Sequence, residues 1–288
     1  MDHFHGGGVT NARSITVSCN AFYNKMALMI GIDTMYKYSR YFGFDTVTGV
    51  DIGHEGRGSI PNTAKMNKWY PRGWTKGYTV SQGIGQGEVS VTPIQQAVYA
   101  AIFANKGTWM QPHAARKIYN VKTGKWDTVQ YATRRLPIAD TIFRVIRRGM
   151  YGAVNEPGGT ARIAQIPESN IVVAGKTGTA QNPHGEDHAW FVCFAPFDKP
   201  KIAMCVMVEN AGFGGVVAAP IARKLMRLYL TGVREDSLPP LLPNTDAYRK
   251  MKEAKFKNSA NRQTPALPKP KPDTARRTDE AIISSRGR

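Results

Sequence analysis

The sequence has few cysteines and no long apolar run, and both shortages exclude classes of protein. Its three cysteines, Cys19, Cys193 and Cys205, are odd in number and show no C-x-x-C spacing, which argues against a disulfide framework or a zinc site. No apolar run reaches the roughly eighteen residues of a membrane-spanning helix, and the opening MDHFHGGG lacks the basic and apolar regions of a secretory signal. The sequence therefore predicts neither a membrane span nor a signal peptide.

Acidic residues are scarce beside basic ones. The 21 Asp and Glu stand against 39 Lys and Arg, which gives a formal net charge of +18. Such an excess suits nucleic acid or an anionic surface, so a basic nucleic-acid binder is one class to consider. However, residues 249–288 hold 12 Lys and Arg and 4 Asp and Glu, so 8 of the 18 excess charges lie in a tail. Charge of this kind is weak evidence, and we expect no nucleic-acid partner.

The chain divides into a folded part and a tail. A hydrophobic content of 42% is enough for a packed core. The last residues instead contain PALPKPKPD and show almost no apolar periodicity. We predict one domain over residues 1–232, a linker over 233–248 and a disordered, basic, Pro- and Lys-rich tail over 249–288.

Capping and helix-breaking residues predict where several helices begin and end. Thr92, Pro93 and Gln95 form a capping-box pattern that predicts the start of a helix, and Gly107 ends that segment. A helix over residues 20–29 is followed by a second that begins with Asp33 as N-cap. Further helices are predicted over 140–149 and 221–231.

The last two of these helices are amphipathic. Their apolar faces consist of Ile142, Val145 and Ile146 in the first and Ile221, Leu225 and Leu228 in the second. Opposite these faces lie Arg144, Arg147 and Arg148 in the first helix and Arg223, Lys224 and Arg227 in the second. We expect both to be surface helices with the apolar face inward.

Strands are predicted over residues 171–174, 189–194 and 201–208, separated by polar or Pro-containing turns. Connections this short join antiparallel neighbours, so the three strands form a meander. Because mixed helices precede the meander and another helix follows it, the order indicates an α+β fold. Cys193 and Cys205 fall near each other across the predicted hairpin, which leaves a disulfide between them open.

Two tripeptides carry the chemistry. Lys176, Thr177 and Gly178 form K-T-G at the end of the first predicted strand, and Ser18 and Asn20 form S-x-N at the start of a helix. These are two of the three elements of active-serine penicillin-interacting enzymes. Each is weak alone, but together, in this order and on these elements, they are a strong signal. The third element, S-x-x-K, is absent, since no serine is followed by lysine three residues later.

Longer segments extend the resemblance. They are GIGQGEVSVTPIQQA (83–97), GGTA (158–161), AGKTGTAQ (174–181) and HAWFVCFAP (188–196). In this order they resemble the transpeptidase domain of class B penicillin-binding proteins of the penicillin-binding protein 2 type. The resemblance covers residues 10–232 and implies the penicillin-binding protein and serine β-lactamase fold, an antiparallel sheet packed with helices plus a helical subdomain, truncated at its amino terminus. HAWF favours the elongation-type over the division-type relative.

The resemblance also implies a role for each motif residue. Ser18 relays a proton towards the leaving amine, and Asn20 holds the substrate amide. Lys176 keeps this proton relay poised and attracts the substrate carboxylate. The hydroxyls of Thr177 and Thr179 bind that carboxylate, and the Thr179 N–H is half of an oxyanion hole.

Gly178 belongs to the substrate-binding set for a steric reason. A side chain there would keep the substrate backbone from lying along the strand edge. The implied substrate is a peptidoglycan stem peptide ending in D-Ala-D-Ala, and β-lactams are implied as covalent ligands. No metal or cofactor is implied.

The implied activity is peptidoglycan D,D-transpeptidation during cell elongation. The implied partners are the glycan polymerase of the elongation complex and scaffold proteins. The implied location is the periplasmic face of the bacterial inner membrane, reached through an amino-terminal anchor that this sequence lacks. Because S-x-x-K is also missing, we expect a fragment that is inactive on its own.

Two alternatives stay open. One is a non-catalytic binding protein that keeps Lys176, Thr177 and Thr179 as a carboxylate-binding edge. The other is a serine β-lactamase, which would need a means of hydrolysing the acyl-enzyme that the sequence does not offer.

Two further patterns are weaker. The GIGQG segment at 83–87 lacks the ending of a phosphate-binding loop and is expected to pack against the catalytic part. His184, Glu186, Asp187 and His188 are metal-ligand types, but we expect ordinary polar turn residues there.

Overall fold

A computed structural model describes residues 8–167 and 169–233. Within them the helices are α1 (Asn11–Thr16), α2 (Asn20–Ile30), α3 (Ile32–Phe42), α4 (Thr63–Trp69), α5 (Lys76–Gly83), α6 (Pro93–Ala104), α7 (Asp140–Asn155) and α8 (Ala218–Thr231). The strands are β1 (Thr108–Met110), β2 (Lys117–Asn120), β3 (Lys125–Thr128), β4 (Thr133–Arg135), β5 (Ala174–Ala180), β6 (His188–Ala195) and β7 (Ile202–Val208). Almost all of the predicted linker (233–248) and the whole tail (249–288) lie outside the described residues, so the predicted domain boundaries remain predictions.

The largest sheet is an antiparallel meander in the order β5-β6-β7. Two smaller antiparallel pairs, β1 with β4 and β2 with β3, precede it along the chain. Helices and antiparallel sheets are segregated in this way in an α+β fold, so the predicted fold class is confirmed.

The sheet is covered on both faces. Alternate residues of β6 point to opposite sides, and Phe191 and Cys193 pack in one buried cluster while Phe194 packs in the other. The first cluster includes Met226 of α8, and the second includes Phe103 of α6 together with residues of α7. The sheet therefore lies between α8 on one side and α6 and α7 on the other. In the described part of the chain, no helix is long and apolar enough to cross a membrane.

The first strand of the meander begins later than predicted. It runs over Ala174–Ala180 rather than 171–174, so K-T-G lies in the middle of the strand and not at its end. Strand propensity favoured the apolar residues just before it, whereas pairing with β6 recruits the Gly- and Thr-rich segment, with Lys176 opposite Val192 and Gly178 opposite Trp190.

The predicted N-cap of α6 is confirmed, and the predicted N-cap of α3 was wrong. At α6, Thr92 accepts a hydrogen bond from the Gln95 N–H and Gln95 accepts one from the Thr92 N–H, which confirms the capping box. At α3 the N-cap is Gly31. Asp33 instead accepts hydrogen bonds from the backbone N–H and hydroxyl of Thr63, at 2.9 and 2.6 Å, and so connects α3 to the start of α4.

The predicted faces of α7 were right for Ile146, which packs against the core, and for the exposed Arg144 and Arg148, but wrong for the other three residues. Ile142 and Val145 are 48% and 38% exposed, whereas Arg147, expected on the solvent side, is 5% exposed. Arg147 donates three hydrogen bonds, to the backbone carbonyls of Phe103, Ala104 and Phe197, and these offset the cost of burying its charge.

The predicted faces of α8 were wrong for a related reason. Leu225 and Leu228 are 47% and 44% exposed, and the buried face is formed by small residues such as Ala222 together with Met226. A helix that packs closely on a sheet places its small residues inward, which periodicity of large apolar residues does not reveal.

A disulfide between Cys193 and Cys205 is excluded by the register. Cys193 lies opposite Met204, and Cys205 lies opposite Val192. Since side chains alternate between the faces of a sheet, the two thiols point to opposite sides. Cys193 is buried with its Sγ 3.7 Å from Met226 Sδ, and burial raises the pKa of Cys205 to about 12.

Candidate active site

Ser18 lies in the short turn between α1 and α2 and has a φ of +54°. This left-handed conformation is uncommon for a residue with a side chain. Two backbone hydrogen bonds hold the turn, from the Ser18 N–H to Ile15 O at 3.3 Å and from the Cys19 N–H to Ser14 O at 3.0 Å. The turn therefore fixes where the Ser18 hydroxyl lies.

Helix α1 is placed by glycines of α7. A Cβ on Gly152 would lie 2.3 Å from Thr16 Oγ1, and a Cβ on Gly149 would lie 2.6 Å from Ile15 Cβ. Only glycine permits the two helices to approach this closely. The sequence of α7 thus determines the position of the turn that carries Ser18.

Lys176 of β5 meets Ser18 across 158 residues of sequence. Its Nζ donates to Ser18 Oγ at 2.8 Å and to the Thr177 carbonyl at 2.8 Å. The residue is half-buried, and desolvation lowers the pKa of Lys176 to about 8. A lysine with that pKa exchanges its proton near neutral pH, which suits it to proton transfer through the Ser18 hydroxyl.

The two threonines of the K-T-G segment contact different neighbours. Thr177 Oγ1 lies 2.8 Å from Thr160 Oγ1, and Thr179 Oγ1 accepts a hydrogen bond from the Gly214 N–H at 3.4 Å. The threonines lie two residues apart on one strand, so both hydroxyls are on the same face of β5.

Gly178 lies between them and is tightly surrounded. A Cβ there would lie 3.1 Å from Trp190 Cβ, and a Cβ on Gly214, in the loop after β7, would lie 2.3 Å from the Gly178 carbonyl oxygen. The structure thus shows steric reasons for glycine at both positions. Whether a side chain at Gly178 would also obstruct a peptide remains a prediction.

Asn20 is the first residue of α2, and its side chain is exposed. It lies two residues after Ser18, next to the hydrogen-bonded group of Ser18, Lys176 and Thr177. The hydrogen bonds described for the chain do not connect Asn20 to that group, so its role as a substrate ligand remains a prediction.

Sequence reasoning missed two residues of the site. Thr160 lies within hydrogen-bond distance of Thr177. Gln86 bonds the backbone of Thr179 in β5 and of Gln181, the residue that follows β5 by one position. Both belong to segments that carried the family resemblance, GGTA and GIGQG, and this was the available signal. The expectation that the GIGQG segment packs against the catalytic part is confirmed.

The described residues contain no group of three or more His, Cys, Asp and Glu side chains arranged to hold a metal ion. His188, which the sequence predicted in a turn, is the first residue of β6, and its Nδ1 accepts a hydrogen bond from the Asn210 N–H at 3.0 Å.

The model of the family described as "Penicillin binding protein transpeptidase domain" matches residues 2–227. The chain belongs to the penicillin-binding protein transpeptidase family. Both tripeptides of the site lie inside the matched range, so the site described above is part of a transpeptidase domain.

Among curated relatives, this transpeptidase-family chain is similar to the peptidoglycan D,D-transpeptidase MrdA of Haemophilus influenzae. The two are 37% identical over 242 residues, which cover 78% of this chain and 37% of the relative. The chain therefore spans well under half the length of that relative.

Two solved structures show the same fold. Penicillin-binding protein 2 of Pseudomonas aeruginosa, in complex with WCK 5153, superposes with a TM-score of 0.69 at 33% identity, covering 81% of this chain and 50% of that one. Penicillin-binding protein 2 of Helicobacter pylori, in complex with MreC, gives 0.65 at 29% identity, covering 77% and 40%. The predicted family and transpeptidase fold are confirmed.

Proposed function

We propose that this chain supplies the proton-relay and carboxylate-binding groups of a peptidoglycan D,D-transpeptidase that acts in cell elongation. The observation that carries the proposal is the 2.8 Å contact between Lys176 Nζ and Ser18 Oγ, made by a lysine whose pKa is lowered to about 8. The similarity to MrdA proteins supports the reaction class.

The relay moves one proton in each of two transfers. In the family's reaction the acyl carbon bonds to the oxygen of the S-x-x-K serine while its C–N bond to the terminal D-Ala breaks. The departing nitrogen takes the hydroxyl proton of Ser18, and Ser18 takes a proton from the Lys176 ammonium. Desolvation favours this second transfer because it destabilises the charged form of the lysine. The neutral lysine is then able to accept a proton back through Ser18 when the next amine attacks.

The same group of residues attracts the end of the peptide. A terminal carboxylate near Lys176 finds a positive charge and the hydroxyls of Thr177 and Thr179 on one face of β5. We propose that Asn20, exposed beside Ser18, holds the substrate amide. The Thr179 N–H supplies one donor to the developing oxyanion.

The family's nucleophile is the serine of S-x-x-K, and this sequence contains no such motif. We therefore propose that the chain by itself forms no acyl-enzyme with a β-lactam. We further propose a scaffold protein of the MreC kind and a glycan polymerase as partners, and the periplasmic face of the inner membrane as the location. The Helicobacter pylori structure with MreC supports the first partner.

The test combines intact-mass and binding measurements. After incubation with benzylpenicillin, the chain is expected to keep its mass. A D-Ala-D-Ala peptide is expected to bind non-covalently, and Lys176→Met is expected to weaken binding about tenfold or more by removing the charge that meets the carboxylate. Lys201→Met, the same change at an exposed position before β7, is the matched control and should leave binding unchanged.

Three outcomes would count against the proposal. A penicillin adduct on a serine would show that the chain has a nucleophile after all. Peptide binding that Lys176→Met leaves unchanged would remove Lys176 from the site. A stop codon in frame just upstream of the Met1 codon, found by sequencing the gene, would favour the non-catalytic binding protein.

A further inference from the structure

The outer edge of β5 is the free edge of the three-stranded sheet, because β5 pairs only with β6 within the described residues. Backbone groups of alternate residues on this edge are bonded by side chains. The Thr177 carbonyl accepts from Lys176 Nζ, and the Thr179 carbonyl accepts from Gln86 Nε2, both at 2.8 Å. This alternation is that of a strand whose Thr177, Thr179 and Gln181 groups point away from β6.

Gln86 satisfies two consecutive groups of that edge. Its Nε2 donates to the Thr179 carbonyl, and its Oε1 accepts from the Gln181 N–H at 3.1 Å. One carboxamide thus makes the donor and acceptor contacts that the backbone of an added strand would make there. Gln86 is held in the loop that follows α5, where the Gln86 N–H donates to Ser81 O at 3.0 Å.

We infer that Gln86 is a specificity-determining residue that limits how far a peptide backbone pairs along β5. This inference rests on the proposed function, which places the ligand carboxylate at Lys176 and Thr177. The ligand then extends from Thr177 past Thr179 towards Gln181. Its backbone meets the Gln86 carboxamide at Thr179, and pairing beyond that point requires the carboxamide to leave.

The inference predicts a dependence on ligand length. N-acetyl-D-Ala-D-Ala is short enough to end near Thr179, whereas diacetyl-L-Lys-D-Ala-D-Ala reaches towards Gln181. Gln86→Ala frees the Thr179 carbonyl and the Gln181 N–H for the longer ligand. We expect the ratio of affinities, long over short, to rise about 2- to 10-fold, the range for one net hydrogen bond.

The experiment measures binding of both peptides to the wild-type chain, Gln86→Ala and a control by NMR titration. The matched control is Gln111→Ala, because Gln111 also bridges two backbone groups with its carboxamide. It donates to the Gly49 carbonyl and accepts from the Ala132 N–H, away from β5. Gln111→Ala should leave the affinity ratio unchanged. Gln86→Glu keeps the acceptor but loses the donor, so it should free the Thr179 carbonyl alone and raise the ratio less.

Hydrogen exchange gives a readout that needs no ligand. The Gln181 N–H is expected to exchange faster in Gln86→Ala than in the wild-type chain, and equal exchange would overturn the inference. An unchanged affinity ratio would also overturn it while leaving the proposed function intact. If neither peptide bound to the wild-type chain or to any variant, the result would contradict the proposed function itself and, with it, the inference.

Discussion

Two cations of this chain, Arg147 and Lys176, are shielded from water, the first almost completely and the second in part. They differ in their hydrogen-bond partners. Arg147, between α6, α7 and the sheet, is 5% exposed and donates to the carbonyls of Phe103 and Ala104 at 2.6 and 3.0 Å and of Phe197 at 2.5 Å. Its guanidinium also lies 4.8 Å from the ring centroid of Phe194. Lys176, at the edge of the sheet, bonds one carbonyl and one hydroxyl.

We call Arg147 the structural cation, because its contacts hold helices and sheet together, and Lys176 the chemical cation, because we propose that it transfers a proton. The carbonyls and aromatic rings around Arg147 suit a guanidinium that stays charged and fixed in place. Lys176 has fewer acceptors, and desolvation lowers its pKa to about 8. Arg147 is buried and Lys176 is half-buried. The smaller number of acceptors around Lys176, together with its lowered pKa, is why we propose Lys176 as the group that exchanges a proton.

The largest expected effect comes from removing the structural cation. Arg147→Met removes the guanidinium donor from three carbonyls in the core, of which the Phe103 carbonyl keeps a hydrogen bond from the Lys106 N–H. We expect the free energy of unfolding to fall by about 3–5 kcal/mol. Urea denaturation followed by circular dichroism measures the loss. A loss below about 1 kcal/mol would show that Arg147 is not needed for the packing of α6 and α7.

Removing the chemical cation should have a smaller effect of opposite sign. The pKa of Lys176 is lowered from 10.5 to about 8 in the folded chain, so the unfolded chain binds more protons between these values and stability rises with pH there. Lys176→Met should therefore be more stable than the wild-type chain at pH 7, by on the order of 1–3 kcal/mol. The gain should shrink as the pH rises towards 10.5. Identical pH profiles of urea denaturation would contradict the lowered pKa.

The smallest effect is expected at the neighbouring arginine. Arg148 follows Arg147 in the sequence, but its side chain is 55% exposed and pairs with Glu156. Arg148→Ala should change the free energy of unfolding by less than about 1 kcal/mol, and less still at high salt. If Arg148→Ala lowered the free energy of unfolding as much as Arg147→Met does, the loss would depend on being in α7 and not on the hydrogen-bond partners of the side chain.

Sequence patterns predicted a structural feature correctly where the residues that form it are close together in the sequence. The capping box of Thr92 and Gln95 spans three residues and was predicted correctly. The burial of Arg147 was not, because its carbonyl partners lie 43 to 50 residues away and no local pattern shows that α6 will present them. The exposed Leu225 of α8 is the same case, since the close approach to the sheet selects alanines.

The sequence named residues of the candidate site but did not predict how they are arranged in space. The tripeptides identified Ser18 and Lys176, and only the family resemblance implied that residues 158 positions apart act together. The hydrogen bond between them depends on the left-handed turn at Ser18 and on the docking of α1 against Gly152, which the sequence alone does not reveal. Gln86 was overlooked because a glutamine in a glycine-rich loop has no chemical signature until the loop meets β5.

The meander has a second edge, and it bears on how the chain behaves in the test tube. Within the described residues, the outer side of β7 has no partner strand, and its sequence, IAMCVMV, carries no charge and no proline. An edge of this kind is a template for another strand, so concentrated preparations are expected to self-associate through β7. On β5, Lys176 and Gln86 bond the edge carbonyls and discourage the same event. The solubility of the purified chain is therefore expected to depend on β7 and not on β5.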